Sequence, residues 1–155
     1  MPRRTSTAAA LASVLLLLPL PGCTLPSIVT SQACASWVDF TTPVDAADEA
    51  DAVALGRIVD QAGNTTYEGI TTNTWNVEVD EWLKGDGEGE IIVTSLPRTC
   101  GDDRDTMSRF QSVEELVLFL RDDESGWQTI TPFQGAVPAS PDGEIPEAWP
   151  DGLYD

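Results

Sequence analysis

The residue types most often used in catalysis are scarce in this 155-residue sequence. It contains no histidine, so the commonest general base, proton shuttle and zinc ligand is absent. Lys84 is the only lysine and falls at an expected turn. Glu78 and Asp80 fall on the polar face of an expected strand, with no visible cleft to separate their pKa values. We therefore predict that the protein is not an enzyme and uses no cofactor.

Two acidic runs are candidates for a cation site. One comprises Asp102, Asp103 and Asp105, and the other comprises Asp86, Glu88 and Glu90. Carboxylate oxygens suit calcium, but neither run has the spaced ligands and final glutamate of the twelve-residue calcium loop. Arg104 and Arg109 also lie near the first run and can neutralise it. A solvated loop is the ordinary interpretation, so cation binding stays an alternative and we assign no metal ligands.

Residues 1–22 have the layout of a lipoprotein signal peptide. Arg3 and Arg4 form a positive region, followed by an apolar stretch from Ala8 to Leu20 that is too short to span a bilayer permanently. The sequence Leu20-Pro21-Gly22-Cys23 then resembles the lipobox of bacterial lipoproteins, with a small residue before the cysteine and a proline as the less usual occupant. An ordinary signal peptide that is cut nearby is the alternative.

The lipobox resemblance implies that Cys23 receives a diacylglyceryl group and becomes the first mature residue. Two acyl chains, such as palmitate, hold a protein on a membrane stably, whereas one chain gives only marginal binding. We therefore expect an exported lipoprotein, anchored through Cys23 to the outer face of the bacterial cell membrane. Residues 23–32 have no periodicity and are expected to form a tether.

The charge of the chain excludes one class of partner. The formal net charge is −18, from 26 acidic and 8 basic residues, and loss of Arg3 and Arg4 with the leader makes it more negative. Such a charge opposes binding to phosphate backbones, so we exclude nucleic acid as a partner. It also favours solubility, and a generally acidic proteome explains the same number without any partner.

Cysteine use predicts a covalent link. Once Cys23 is lipidated, Cys34 and Cys100 remain, in a compartment that permits disulfides. A bridge between them closes a loop of about 66 residues and stabilises the fold by about 4 kcal/mol in the chain-entropy model. Two separate thiols are the alternative and would be a liability outside the cell. We predict the bridge.

The rest of the chain is organised around a hairpin from Ile70 to Leu96. Alternation over Thr72–Leu83 predicts a half-buried antiparallel strand with one polar face. One face carries Trp75, Val77, Val79, Glu81 and Leu83, and the polar face carries Thr74, Asn76, Glu78, Asp80 and Trp82. The Gly85–Gly89 run reverses the chain. Ile91–Val93 begins the returning strand, which Pro97 ends.

Shorter elements flank this hairpin. Helical turns are expected over Asp45–Asp51, capped by Asp45. Further strands are expected over Ala52–Val59, Glu115–Arg121 and Trp127–Thr131. The unbroken apolar run in the second of these strands predicts a central strand buried on both faces. Gly56 in the first predicts a bulge or bend.

Polar segments separate the strands. The turn-prone stretch Asp60–Thr66 is expected to end the first strand, and Arg98–Ser112 is expected to be a loop. Ala136–Ala139 and Glu144–Glu147 flank a strong turn signal and are expected to form a small hairpin, followed by a poorly ordered tail from Ala148. The elements together predict a mainly β protein with a small five-stranded barrel over residues 33–135 and an irregular part over residues 136–155.

The order of the motifs resembles that of a known family. The segments that carry the resemblance are Ala50–Val59, Trp75–Gly85, Ile91–Val93, Thr99–Gly101 and Glu115–Leu120. They resemble the bacterial netrin-like domains, which are similar to the N-terminal domain of tissue inhibitors of metalloproteinases, over about Ala33 to Ile130. The resemblance implies a five-stranded antiparallel OB-like barrel to which Cys100 pins the Cys34 segment.

One part of the family pattern is missing. The animal inhibitors begin with Cys-x-Cys, whose free amino group chelates the protease zinc. Here Cys34-Ala35-Ser36 has one cysteine where the motif has two, and Cys34 is internal, so zinc chelation by the terminus is not expected. The corresponding surface remains a candidate contact ridge, with a plain disulfide staple as the alternative. It comprises Ala33, Ala35, Ser36, Arg98 and Thr99.

The tryptophans suggest a second contact surface. Trp75 and Trp127 are expected in the core, while Trp82 faces away from Trp75 and offers either an exposed docking patch or packing at the barrel end. With the lipid anchor and the scarcity of catalytic groups, this predicts a non-enzymatic binding module that docks a protein partner at the cell envelope. The alternatives are an acidic lipoprotein that binds divalent cations and a divergent protease-inhibitor-like domain.

Overall fold

The computed structural model describes residues 36–98 and 105–152, which belong to the unit Gln32–Asp155. These residues form six strands of one mixed sheet and two short helices. The strands are β1 (Ala52–Tyr67), β2 (Ile70–Lys84), β3 (Glu90–Thr94), β4 (Leu116–Asp123), β5 (Gly126–Thr129) and β6 (Ala136–Pro138). The helices are α1 (Pro43–Glu49) and α2 (Thr106–Arg109). The prediction of a mainly β protein is confirmed.

The sheet has the order β1-β2-β3-β5-β4-β6, and β1 also pairs with β4. Each of β1 to β5 therefore has a partner on two sides. The prediction of five antiparallel strands is wrong in two respects, because β6 adds a sixth strand beside β4 and because β3 and β5 run parallel. A parallel pair needs a long connection, which the chain through α2 and β4 provides.

The prediction that the first strand ends before Asp60 is wrong, because β1 is longer than predicted and forms a hairpin with β2. β1 continues through the polar stretch Asp60–Thr66, and the chain turns only at Glu68–Gly69, where φ is 46° and 83°. Positive φ at both central residues is typical of the type I′ turn, which matches the twist of a two-residue hairpin. Polar side chains pair across this end of the hairpin, since Gln61 and Asn64 both donate to the Asn73 side-chain oxygen, at 2.9 and 2.8 Å.

A bulge in β2 changes which face its side chains occupy. Leu55 lies opposite Glu81 and the next residue, Gly56, lies opposite Val79, so Asp80 is an extra residue in β2. Gly56 is required at this point, because a Cβ there would lie 2.2 Å from a backbone carbonyl oxygen of β2. The irregularity predicted at Gly56 is therefore present, but the extra residue lies in β2 and not in the strand that contains Gly56.

The alternation predicted for β2 holds only up to this bulge. Trp75, Val77 and Val79 are buried in the core, as predicted. Beyond Asp80 the faces are exchanged, and Trp82 lies opposite Ala54 and packs against the core. The prediction that Trp82 faces away from Trp75 is therefore wrong.

Two apolar clusters lie on the two faces of β1 and β4. The inner cluster contains alternate residues of these strands with Trp75 and Met107, and the outer cluster contains the intervening residues with the alanines of α1. On β4 the inner residues are Leu116, Leu118 and Leu120, and the outer residues are Val117 and Phe119. The prediction that this strand is central and buried on both faces is confirmed.

The first helix begins before the predicted Asp45. Thr42 is its N-cap, because the Thr42 hydroxyl accepts a hydrogen bond from the Asp45 N–H at 3.2 Å and the Asp45 carboxylate accepts one from the Thr42 N–H at 2.9 Å. At the other end, Lys84 Nζ donates to three backbone carbonyl oxygens at 2.6 to 2.9 Å. These bonds satisfy groups that a helix C-terminus leaves unpaired.

The predicted loop Arg98–Ser112 contains α2 instead of irregular chain alone. Asp105 caps this helix, and the Thr106 hydroxyl donates to the Pro132 carbonyl oxygen. Met107 is completely buried in the inner cluster. The segment therefore closes part of the core.

The C-terminal residues also depart from the prediction. Ser140–Gly143 is a hydrogen-bonded turn as predicted, but β6 pairs with β4, and the described residues 144–147 form no strand. The predicted C-terminal hairpin is therefore wrong. In the expected tail, Trp149 packs edge-on against Phe119, with ring centroids 5.6 Å apart.

Candidate functional site

A groove of about 830 Å³ opens where β3 and β5 separate. Only Val93 and Thr94 of β3 pair with β5. Among the described strands, Glu90–Ile92 therefore have β2 on one side and no neighbour on the other. We call this opening the strand groove, and its lining residues are Val59, Asp60, Asn76, Val77, Gly87, Glu88, Glu90, Ile91, Ile92, Ser125, Gly126 and Trp127.

The floor of the strand groove is apolar and aromatic. Val77 and Ile91 belong to the inner cluster, and Trp127 packs against it. The Trp127 ring is tilted by 39° against Trp82, with centroids 5.6 Å apart. Tilted aromatic pairs at this distance are favourable. Trp82 thus supports one wall of the groove without lining it.

Two aliphatic side chains stand at the mouth of the strand groove. Val59 and Ile92 are each 58% exposed, and both line the groove. Ile92 lies opposite Asn76 of β2, on the face away from the inner cluster. A single exposed aliphatic residue is ordinary, but two of them beside a tryptophan form an apolar surface of the kind that binds partners.

The loop between β2 and β3 closes one end of the strand groove through Gly87. A Cβ at this position would lie 2.4 Å from Trp82 Cζ2. Any side chain would therefore displace the ring or the loop. Glycine lets the backbone lie directly against Trp82.

The rim of the strand groove is acidic. Asp60, Glu88 and Glu90 line it, and none of its lining residues is basic. Asp60 accepts a hydrogen bond from the Asn76 amide at 2.6 Å. Because nearby carboxylates reinforce one another's potential, the groove favours a ligand with positive charge.

Glu90 is placed opposite a second carboxylate. It lies directly across the β2–β3 pair from Glu78, and like charges in opposed positions destabilise a sheet. Glu78 is 2.5 Å from the Arg57 guanidinium, which also approaches Asp80 at 3.7 Å. The Arg57 guanidinium is therefore paired with carboxylates of β2, and no ion pair to Glu90 is found among the described residues.

A second groove, of about 700 Å³, lies beside α1. We call it the helix groove, and its lining residues are Ser36, Trp37, Val38, Asp39, Phe40, Thr41, Asp45, Asp48, Glu49, Arg121, Ile130 and Thr131. It also carries several carboxylates, but Arg121 stands among them. The helix groove therefore contains a positive charge of its own.

A tyrosine lies against the segment that forms the helix groove. Trp37 approaches Tyr67, with ring centroids 6.1 Å apart. Burial raises the pKa of Tyr67 above its ordinary value, Glu68 and Asp123 raise it further, and Arg121 acts in the opposite direction. The tip of the β1–β2 hairpin is thus near the end of β4.

The predicted contact residues that the structure describes do not share one groove. Ser36 is exposed and lines the helix groove, whereas Trp82 supports the strand groove. Arg98 is only 6% exposed and lines neither groove, with its guanidinium carbon 4.5 Å from the centre of the Phe133 ring. This cation–π geometry makes Arg98 part of the interior and leaves little of it for a partner.

The other predicted site residues lie outside the described ranges. They are Cys23, Ala33, Cys34, Ala35, Thr99, Cys100, Asp102 and Asp103. Lipidation of Cys23, the disulfide between Cys34 and Cys100 and the greater part of the contact ridge therefore stay predictions.

Asp105 is the one weak cation candidate of its loop that the structure describes. It is 4% exposed, accepts a hydrogen bond from the Asn73 amide at 2.6 Å, and accepts another from the Ser108 N–H at 2.8 Å. Both of its carboxylate oxygens thus serve the fold. Within residues 36–98 and 105–152, no group of three or more histidine, cysteine, aspartate and glutamate side chains is placed to hold a metal ion.

The wider comparisons add no family assignment. Comparisons with protein-family models, with curated proteins and with solved structures found no match to this chain. In the part of the chain that the structure describes, no helix is long and apolar enough to cross a membrane.

Sequence reasoning missed the strand groove. The signal available was Ile92, an aliphatic residue at an outward position of a strand whose inward neighbours, Ile91 and Val93, are buried. Such a residue stands out only once the neighbouring strands are known. With carboxylates, apolar surface and an open strand edge, the groove can bind a chain or a cation-bearing ligand.

Proposed function

We propose that the protein is a lipid-anchored, non-enzymatic binding module on the outer face of the bacterial cell membrane, where it docks an envelope protein. The observation that carries this proposal is the strand groove. It combines an aromatic floor, two exposed aliphatic side chains and a charged rim in an opening of about 830 Å³. Concave apolar surfaces with a few polar groups are the usual binding sites of proteins.

The proposal includes an OB-like barrel as the scaffold. The circuit of strand pairs β1-β2-β3-β5-β4-β1 supports this assignment. The bulges in β1 and β2 also support it, because bulges are the usual device for curving a sheet toward closure. Such a scaffold holds the groove on strands, which position side chains more rigidly than loops do.

The anchor is tested by its covalent chemistry. We expect the N-terminal peptide of the mature protein to begin at Cys23 and to carry the mass of attached acyl chains. A Cys23→Ser variant should leave the membrane fraction, because it removes the atom that carries the lipid. An unmodified Cys23 peptide, or a Cys23→Ser variant that stays in the membrane fraction, would overturn the anchor.

The binding function is tested by photocrosslinking in cells. A photoreactive amino acid replaces Ile92 in the full-length chain, and a matched chain carries it at Val44, an exposed aliphatic residue of α1 that is 48% exposed. We expect a discrete protein adduct from position 92 and none of the same mass from position 44. The same adducts from both positions, or none from position 92, would contradict a partner in the strand groove.

A further inference from the structure

We propose that the strand groove receives an extended, lysine- or arginine-bearing segment of the partner protein, which pairs as an added strand along the open edge of β3. This inference rests on the proposed binding function and goes beyond it, because it states the chemistry and the conformation of the bound segment. It follows from the backbone, the charge and the apolar side chains of the groove together.

The backbone favours an added strand. Glu90–Ile92 are paired with β2 but with no described strand on their other edge, while Val93 and Thr94 are already paired with β5. An open strand edge presents peptide groups that an extended chain can satisfy, which is the basis of strand addition. Residues of that edge line the groove, so an extended segment within it can reach these peptide groups.

The charges select a basic segment. Glu88 and Glu90 line the groove at β3 and the loop before it, Asp60 lines it from β1, and none of the lining residues is basic. Because Glu90 already lies opposite Glu78, a cation brought by the ligand would relieve an unfavourable pair as well as make a favourable one. The formal net charge of −18 adds a long-range attraction for the same segment.

The apolar surface selects a segment that alternates basic and aliphatic residues. Successive side chains of a strand point to opposite faces, so aliphatic side chains can contact one face of the groove while basic ones reach the rim. Glu90 and Ile92 lie on the outward face of β3, so basic side chains on that face can reach Glu90. Aliphatic side chains on the other face can contact Ile91 and Trp127. A single metal ion would leave these apolar contacts unused, and a second copy of this chain would bring carboxylates to carboxylates.

The test uses the full-length lipidated protein in nanodiscs of neutral lipid and a short, dye-labelled synthetic peptide that alternates lysine and valine. Fluorescence anisotropy measures its binding at moderate salt. A peptide with glutamate in place of lysine tests the charge. Two further peptides carry backbone N-methyl groups, on the lysines in one and on the valines in the other, and each blocks one edge of the added strand.

Protein variants separate the groove from the general charge. Glu88→Gln with Glu90→Gln removes two rim charges, and Glu114→Gln with Glu115→Gln removes two exposed charges that do not line the groove. We expect the first pair to weaken binding about tenfold and the second pair to change it by less than about twofold. Ile92→Ser should also weaken binding, since it removes an exposed aliphatic surface that can contact the methylene stem of a basic side chain.

The outcomes decide the inference. Loss of binding with the glutamate peptide and with one of the two N-methyl peptides supports it. Equal weakening by both pairs of charge variants would reduce the interaction to general attraction, and full binding by both N-methyl peptides would exclude strand pairing. If position 92 crosslinks to a partner in cells while the lysine–valine peptide does not bind, the proposed function stands and this inference falls. If both tests are negative, both fall.

Discussion

The helix groove and the strand groove differ in what holds their walls. In the helix groove, the Phe40 backbone donates to and accepts from the Gln134 amide, at 2.8 Å in each case, and its carbonyl also accepts from Trp149 Nε1 at 2.9 Å. In the strand groove, the sheet stops pairing and leaves Ile92 exposed. The segment at Phe40 thus covers the outer cluster and is held there by hydrogen bonds, whereas the strand groove is an opening in the sheet.

This difference separates stability from binding. Phe40 and Ile130 of the helix groove pack on the outer cluster or belong to it, and Arg121 supplies a positive charge among the carboxylates there. The strand groove has no such charge among its lining residues, and its edge and apolar surface cost free energy while nothing covers them. We therefore expect substitutions beside the helix groove to change the free energy of unfolding, and substitutions in the strand groove to change peptide binding.

The largest effect is expected in the outer cluster. Phe119 is completely buried there and contacts Trp149. Phe119→Ala should lower the free energy of unfolding by about 3–5 kcal/mol, because it leaves a cavity beneath the cover. Urea denaturation measures this loss, with Phe119→Leu as the milder control. If the folded fraction of Phe119→Ala bound the lysine–valine peptide less tightly, the outer cluster and the strand groove would be coupled. That result would contradict their separation into a stabilising region and a binding region.

The next effect concerns the attachment of α1. Lys84 Nζ donates to three carbonyl oxygens at the end of that helix. Lys84→Met should lower the free energy of unfolding by about 1–2 kcal/mol, because these carbonyls lose a charged donor.

Arg57→Met is the matched control for Lys84→Met. Among the described residues, Arg57 forms ion pairs with the exposed carboxylates of Glu78 and Asp80, and exposed pairs contribute about 0–1 kcal/mol. Both variants remove one positive charge. Equal losses of stability in urea would show that charge, and not the attachment of α1, accounts for the effect of Lys84→Met.

The sequence predicts the core of this fold better than its edges. The alternation of Trp75, Val77 and Val79 and the unbroken run of β4 both report burial directly, and both predictions are confirmed. The face of Trp82 was predicted wrongly because the bulge at Asp80 shifts the register by one residue. Asp80 is an exposed aspartate in a half-buried strand, and its residue type carries no local signal of such a bulge.

The site depends on long-range pairing, which local patterns do not report. The parallel pairing of β3 with β5 joins residues that are far apart in the chain, and the groove exists only where that pairing ends. The polar stretch Asp60–Thr66 was predicted as a turn because its residues favour turns, yet cross-strand hydrogen bonds hold it in β1. Tertiary pairing here overrides local propensity.

A smaller effect is expected where the loop lies over Trp82. Gly87→Ala places a methyl group within 2.4 Å of the Trp82 ring, whereas the nearest atom to a Cβ at Gly89 is 3.9 Å away. Gly87→Ala should therefore lower the free energy of unfolding by about 1 kcal/mol and weaken peptide binding, while Gly89→Ala should do neither. Urea denaturation and anisotropy measure the two effects. Equal behaviour of the two variants would mean that the loop does not brace the strand groove.

The smallest effect is a titration beside the helix groove. Burial, followed by Glu68 and Asp123, raises the pKa of Tyr67 above 10.0. The folded chain therefore holds this proton more tightly than the unfolded chain, so the contribution of Tyr67 to stability is present below pH 10.0 and is lost as the pH rises through the raised pKa. The ultraviolet absorbance of tyrosinate, measured as the difference between the parent and Tyr67→Phe, isolates this group.

Substitution of the charged neighbours of Tyr67 tests whether its titration reports on the wall of the helix groove. Asp123→Asn should move the pKa of Tyr67 downward, because it removes a negative charge, and Arg121→Gln should move it upward, because it removes a positive one. Binding of the basic peptide in the strand groove should leave the titration unchanged if the two grooves are independent. A shift of this pKa on peptide binding would instead place the peptide near Tyr67. It would contradict the conclusion that the helix groove serves stability while the strand groove alone binds the peptide.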